Sequence, residues 1–129
     1  MRYHIGWHIM ASFEGYRHEA GSNMSEVERV ADAMSATAER YGLSVVNKAF
    51  HAFNTQGMTG VLVLAESHFS IHTWPESGFA AVDLFTCNRD RNAQEITLLA
   101  IEYFAELLGC KVTNYTSVKR EGFSNKKDF

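Results

Sequence analysis

Residues 65–87 read AESHFSIHTWPESGFAAVDLFTC, and the fold turns on this stretch. Phe69 to Trp74 has strand character, Pro75 interrupts it, and Phe79 to Cys87 reads as a second strand. The second strand is apolar on both faces for most of its length, so both faces need cover. The stretch also carries serines, histidines, acids, a Trp-Pro pair and a cysteine. Half-buried strands seldom hold so many polar groups, because each needs a partner once out of water. Places where local rules break down in this way are frequently functional.

Outward from this core the pattern is regular. Residues 3–13 alternate, with Tyr3, Ile5, Trp7, Ile9, Ala11 and Phe13 on one strand face. Ser25 followed by Glu28 is a capping-box pattern. Val27, Val30, Ala31, Met34, Ala38 and Tyr41 then recur at helical spacing up to Gly42, a C-terminal stop. Residues 44–53 predict a strand that turns at NTQGMTG into the apolar run Val61–Leu64. A second helix is predicted over 91–108, with Ile96, Leu99, Ala100, Tyr103, Phe104, Leu107 and Leu108 on its apolar stripe and Gly109 closing it. A last strand is predicted over 111–118, followed by a polar tail with Lys126 and Lys127.

The order is strand-helix-strand, a central hairpin region, then strand-helix-strand. This predicts a single α+β domain over 1–129, a two-layer α/β sandwich with an antiparallel sheet and two helices on one face. The sheet's other face would stay bare although several strands are apolar on both sides. A second copy covers it most economically, making a dimer of four layers, α/β/β/α.

Composition narrows the function. The chain has 129 residues, 46% of them hydrophobic, enough for one core without disulfides or a structural metal. A net charge of -3 argues against a nucleic-acid partner. Cys87 and Cys110 belong to no CxxC pair and read as reduced thiols of a cytoplasmic protein. The N-terminus lacks the pattern of a signal peptide, and no stretch approaches the roughly 20 apolar residues of a membrane span. A metal site from His68, His72 and Cys87 is disfavoured, since on a strand the two histidines stand about 13 Å apart. GMTG resembles the GxxG of an RNA-binding KH loop, but it lies between strands without basic flanks.

ESHFSIHTWPE followed by GFAAVDLFTC, with the opening GWH, closely resembles the signature of the prokaryotic S-adenosylmethionine decarboxylase proenzymes. These make a pyruvoyl cofactor from their own chain, an electron sink that ordinary side chains lack. The resemblance implies self-cleavage between Glu66 and Ser67, into residues 1–66 and 67–129, with the pyruvoyl group derived from Ser67. The Ser67 hydroxyl would attack the Glu66 carbonyl, an ester would replace the amide, and β-elimination would cut the chain.

The same resemblance assigns further roles. His72 would remove the Cα proton during elimination, Thr59 (a serine in most relatives) would assist, and Cys87 would return a proton to the substrate carbon. On this assignment Cys87→Ala still cuts itself but loses turnover. Phe53 and Trp74 would stack against S-adenosylmethionine, and Glu76 would accept hydrogen bonds from its ribose. The product would be the aminopropyl donor of spermidine synthesis.

Trp7 in place of a basic residue, Asn88 in place of glycine and an unusual loop at 15–24 bear on substrate choice more than on self-processing. Same-fold enzymes acting on ornithine or arginine, and an unprocessed binding homologue, are the alternatives. Ser67 and His72 are five residues apart, so an unbroken strand points them to opposite faces. Either the chain bends between them or two copies of a dimer share each site.

Overall fold

The first helix starts where Ser25 satisfies its open N–H groups. The Ser25 hydroxyl accepts from the Glu28 amide at 3.1 Å, and the Glu28 carboxylate accepts from the Ser25 amide at 3.2 Å. The helix, α1, spans Glu26–Arg40 and ends at Gly42, whose φ of 68° suits a residue without Cβ. The computed structural model describes residues 2–18, 23–87 and 92–123, with side chains described from residue 5 to residue 122. Asn88, Arg91, Lys126 and Lys127, and residues 19–22 of the unusual loop, lie outside these.

The strands are β1 (Arg2–Glu14), β2 (Val45–Ala52), β3 (Met58–Leu64), β4 (Ser67–Trp74), β5 (Phe79–Thr86) and β6 (Lys111–Phe123), and the second helix, α2, is Ala93–Leu107. They form one six-stranded sheet in the order β2-β3-β4-β5-β1-β6, and every pairing is antiparallel. This is the expected α+β sandwich.

One sheet face meets the helices. Ile9, Phe13, Leu62, Phe69, Ile71 and Leu84 pack there against Val30 and Met34 of α1 and Ile101 and Phe104 of α2. The Phe104 ring meets Phe69 edge-on at 4.9 Å, a favoured aromatic geometry. The opposite face carries His8, Met10, His68, Ser70, His72, Trp74, Asp83 and Phe85, none fully buried.

Three expectations are corrected. The apolar stripe of α2 is rotated: Ala93, Thr97, Ala100, Ile101, Phe104, Ala105 and Leu108 are buried, while Leu99 and Leu107 are exposed. Thr97 makes this possible, since its hydroxyl donates to the Ala93 carbonyl at 2.7 Å and also bonds Thr86 Oγ1 at 2.9 Å. With its polar group satisfied, a threonine can take a buried position on the helix. Second, β6 runs to Phe123 rather than to residue 118, because β1 offers a partner along its whole length. Third, Met58 and Thr59 belong to β3 rather than to the turn before it, which closes with Phe53 N–H donating to the Gly57 carbonyl at 3.0 Å.

Candidate active site

Residues Ala65 and Glu66 make the tight turn joining β3 to β4, since Leu64 pairs directly with Ser67. Glu66 has φ 65°, and among the described residues it is the only non-glycine with positive φ. A side chain in this region costs about 1 kcal/mol or more, so such turns usually carry glycine or asparagine. The strain therefore sits on the residue whose carbonyl Ser67 would attack. That carbonyl also has a donor: Cys87 Sγ–H points at the Glu66 oxygen from 2.7 Å. Ser67 Oγ is turned to the Ala65 carbonyl at 3.4 Å. Glu66, Ser67 and Cys87 line one small cleft with Tyr41 and Ile96.

Gly6 contributes to this end of the sheet. A Cβ on Gly6 would lie 1.9 Å from the Thr86 carbonyl oxygen and 3.0 Å from Cys87 Cα. Only glycine lets β1 pass so close to the backbone that leads into Cys87.

The other predicted residues gather at the opposite end of β4. Thr59 Oγ1 and His72 Nδ1 share a hydrogen bond of 2.9 Å across the β3–β4 pair. Phe53, Thr59, His72, Trp74 and Glu76 line a cleft of about 460 Å³, with Trp74 tilted against Phe79 at 5.6 Å. Beneath it, Thr73 accepts from the Met58 amide at 2.9 Å and donates to Glu26 at 2.8 Å, and Tyr16 donates to the same carboxylate oxygen at 2.5 Å. Burial, aided by Glu26, pushes the Tyr16 phenol far above its ordinary range, so it stays a donor.

The pairing of β4 with both neighbours is uninterrupted between His68 and His72, so the chain does not bend there. Ser67 stands on the helix side with Phe69 and Ile71, and His72 on the open side. Five strand steps put the two about 17 Å apart within one chain. The structure thus assembles Glu66, Ser67 and Cys87 at one end of β4 and Phe53, Thr59, His72, Trp74 and Glu76 at the other. It does not bring the two sets together in one copy.

A further cluster was not foreseen. Asp83 Oδ1 accepts from His8 Nε2 and from His68 Nε2, the latter at 3.3 Å, and Arg120 donates to His8 Nδ1 at 3.1 Å. Among the described residues, His8, His68 and Asp83 are the group whose atoms could converge on a metal ion, and His72 and Cys87 are not part of it. Arginine can only donate, so His8 carries its hydrogen on Nε2, where a metal would have to bind. Moving that hydrogen to Nδ1 would set it against the guanidinium. The cluster is a hydrogen-bond chain rather than a ligand set.

Burial raises the Cys110 thiol to about 11, against a smaller lowering by Arg29. At pH 8, iodoacetamide should therefore label Cys110 slower than an added free cysteine peptide by about tenfold or more. Peptide mass spectrometry over a time course checks this, and equal labelling rates would contradict it.

Comparison with known proteins places the whole chain in a family. The family model described as S-adenosylmethionine decarboxylase matches residues 7–121. The chain is 42% identical over 120 residues to an S-adenosylmethionine decarboxylase proenzyme of Thermoanaerobacter sp., covering 92% of this chain and 90% of that protein. It is 39% identical over 116 residues to the proenzyme of Acidithiobacillus ferrooxidans, covering 90% and 82%. The crystal structure of the adenosylmethionine decarboxylase from Aquifex aeolicus superposes with a TM-score of 0.72 at 28% identity, covering 95% of each chain. With the family model matched over most of its length, relatives about 40% identical and the matching fold, the chain belongs to the S-adenosylmethionine decarboxylase family.

Proposed function

We propose that this chain cuts itself between Glu66 and Ser67 and then decarboxylates S-adenosylmethionine. The observation that carries the proposal is the strained Glu66 turn, with Cys87 Sγ–H held 2.7 Å from the Glu66 carbonyl oxygen. Attack by Ser67 Oγ puts negative charge on that oxygen, where the thiol stabilises it. The Ser67 nitrogen takes up the hydroxyl proton as the amide becomes an ester. Loss of the Ser67 Cα proton then expels the Glu66 carboxylate, and water releases ammonia from the dehydrated residue to leave a keto group. A pyruvoyl group so formed supplies the electron sink for decarboxylation.

His72, in hydrogen bond with Thr59, is the base for the Cα proton, yet within one copy it stands about 17 Å from Ser67. The partner copy therefore supplies it. Two copies stacked with open faces together and strands reversed by a two-fold axis bring the His72 end of one over the Ser67 end of the other, where His72 has to reach the backbone Cα of residue 67 and not its helix-facing hydroxyl. Each site then joins Ser67 and Cys87 of one copy to Thr59, His72, Phe53, Trp74 and Glu76 of its partner. After the cut, Cys87 Sγ, beside the Glu66 carboxylate, returns a proton to the substrate carbon.

The cleft suits a nucleoside: Phe53 and Trp74 offer aromatic faces to a base and a sulfonium, and Glu76 accepts from a diol. Intact mass should resolve fragments 1–66 and 67–129, the second blocked to N-terminal sequencing. Carbon dioxide release should be fastest with S-adenosylmethionine when ornithine and arginine are assayed beside it. A chain that stays whole at neutral pH would refute the self-cutting, and preference for a basic amino acid would reassign the substrate.

A further inference from the structure

Cleavage at Glu66–Ser67 creates a problem that the uncut fold does not have. Residue 67 opens β4, and in the uncut chain the turn holds it by covalent continuity with β3. After the cut it becomes a free chain end, and chain ends fray unless tied down. The reactive group would then sit on the least restrained residue of the strand. Something beyond the backbone ladder must hold it, because a displacement of about 1 Å at a reacting centre can cost on the order of 100-fold in rate.

The next residue, His68, is the first side chain able to do this. Its Nε2 donates to Asp83 Oδ1 of β5 at 3.3 Å. Asp83 is itself restrained by His8 Nε2–H from β1, and His8 by Arg120 from β6 at 3.1 Å. The rings pack as well: His68 lies 5.8 Å from Phe85 and 5.4 Å from His8, and the Arg120 guanidinium lies 5.6 Å over Phe85. Four neighbouring strands, β4, β5, β1 and β6, are thus cross-linked through side chains in one row, and the row ends beside the cut.

We propose that Asp83 is a positioning residue, anchoring the new chain end through His68 so that residue 67 keeps its place after maturation. The inference rests on the self-cutting described above. It differs from general strand support in one respect: the anchor matters in the cut protein and is redundant in the uncut one.

Hydrogen exchange of the peptide covering residues 67–74 tests this, comparing Asp83→Ala with wild type in the cut protein and again in an uncut Ser67→Ala background. In the cut protein exchange should rise by about tenfold, and in the uncut background it should stay the same. Turnover should show kcat lowered about tenfold with KM within about twofold, since neither His68 nor Asp83 lines the nucleoside cleft. Asp83→Asn keeps the acceptor oxygen and should recover most of the loss. His68→Ala, which leaves the His8–Asp83 pair standing, should reproduce the exchange effect should Asp83→Ala fail to fold.

Equal exchange changes in cut and uncut proteins, or none in the cut one, would overturn the inference while leaving self-cutting intact. A wild-type chain that is never cut overturns both.

Discussion

Chains carrying Ser67→Ala and chains carrying His72→Ala, each inactive alone, should recover about a quarter of wild-type turnover when co-expressed and allowed to pair. The expectation follows from where β4 puts its two ends. The continuous pairing of β4 holds Ser67 and His72 on opposite faces and about 17 Å apart within one copy. In a mixed dimer, one site combines Ser67 of the second chain with His72 of the first and is complete, while the other lacks both. Random pairing makes about half of the dimers mixed, each with one working site of two, hence about a quarter. The measurement is carbon dioxide release by the mixed preparation, with intact mass reporting how much of the His72→Ala chain has been cut. If each site were built from one copy, mixing would restore nothing.

Replacing Cys87 with alanine should slow the cut itself by about 10- to 100-fold, besides lowering turnover of whatever protein matures. The family resemblance alone assigns Cys87 to proton return after carbon dioxide has left, which predicts normal cutting. The hydrogen bond to the Glu66 carbonyl adds an earlier task, stabilising the oxyanion as Ser67 attacks. A thiol is a weaker donor than an amide, which places the effect below the range of about 100- to 1,000-fold for such donors. The fraction cut, followed by mass spectrometry from synthesis onward, decides it. Cutting at the wild-type rate would mean that the contact plays no part in maturation.

Much of this molecule was legible before any coordinates. Ser25, Glu28 and Gly42 mark the ends of α1 by local hydrogen bonding and backbone preference alone, and both marks stand in the structure. The alternation through Ile9, Ala11 and Phe13 placed the core face of β1. The string ESHFSIHTWPE carried the family. Where reading failed, a long-range partner had intervened. The stripe of α2 rotated because Thr86 offered Thr97 a hydrogen bond, which no helical spacing reveals.

The sequence by itself determined the element order, the fold class and the family, because strand and helix periodicities and caps are properties of neighbouring residues. It also posed the parity conflict between Ser67 and His72 without resolving it. Only the tertiary structure decided that β4 stays straight, that Glu66 bears the backbone strain, and that Cys87 reaches the Glu66 carbonyl. The same holds for the Asp83 chain: His8 and Asp83 are 75 residues apart and meet only because β1 and β5 pair in one register. Register is set by the packing of the whole sheet against its helices, so contacts that depend on it cannot be read from any local stretch.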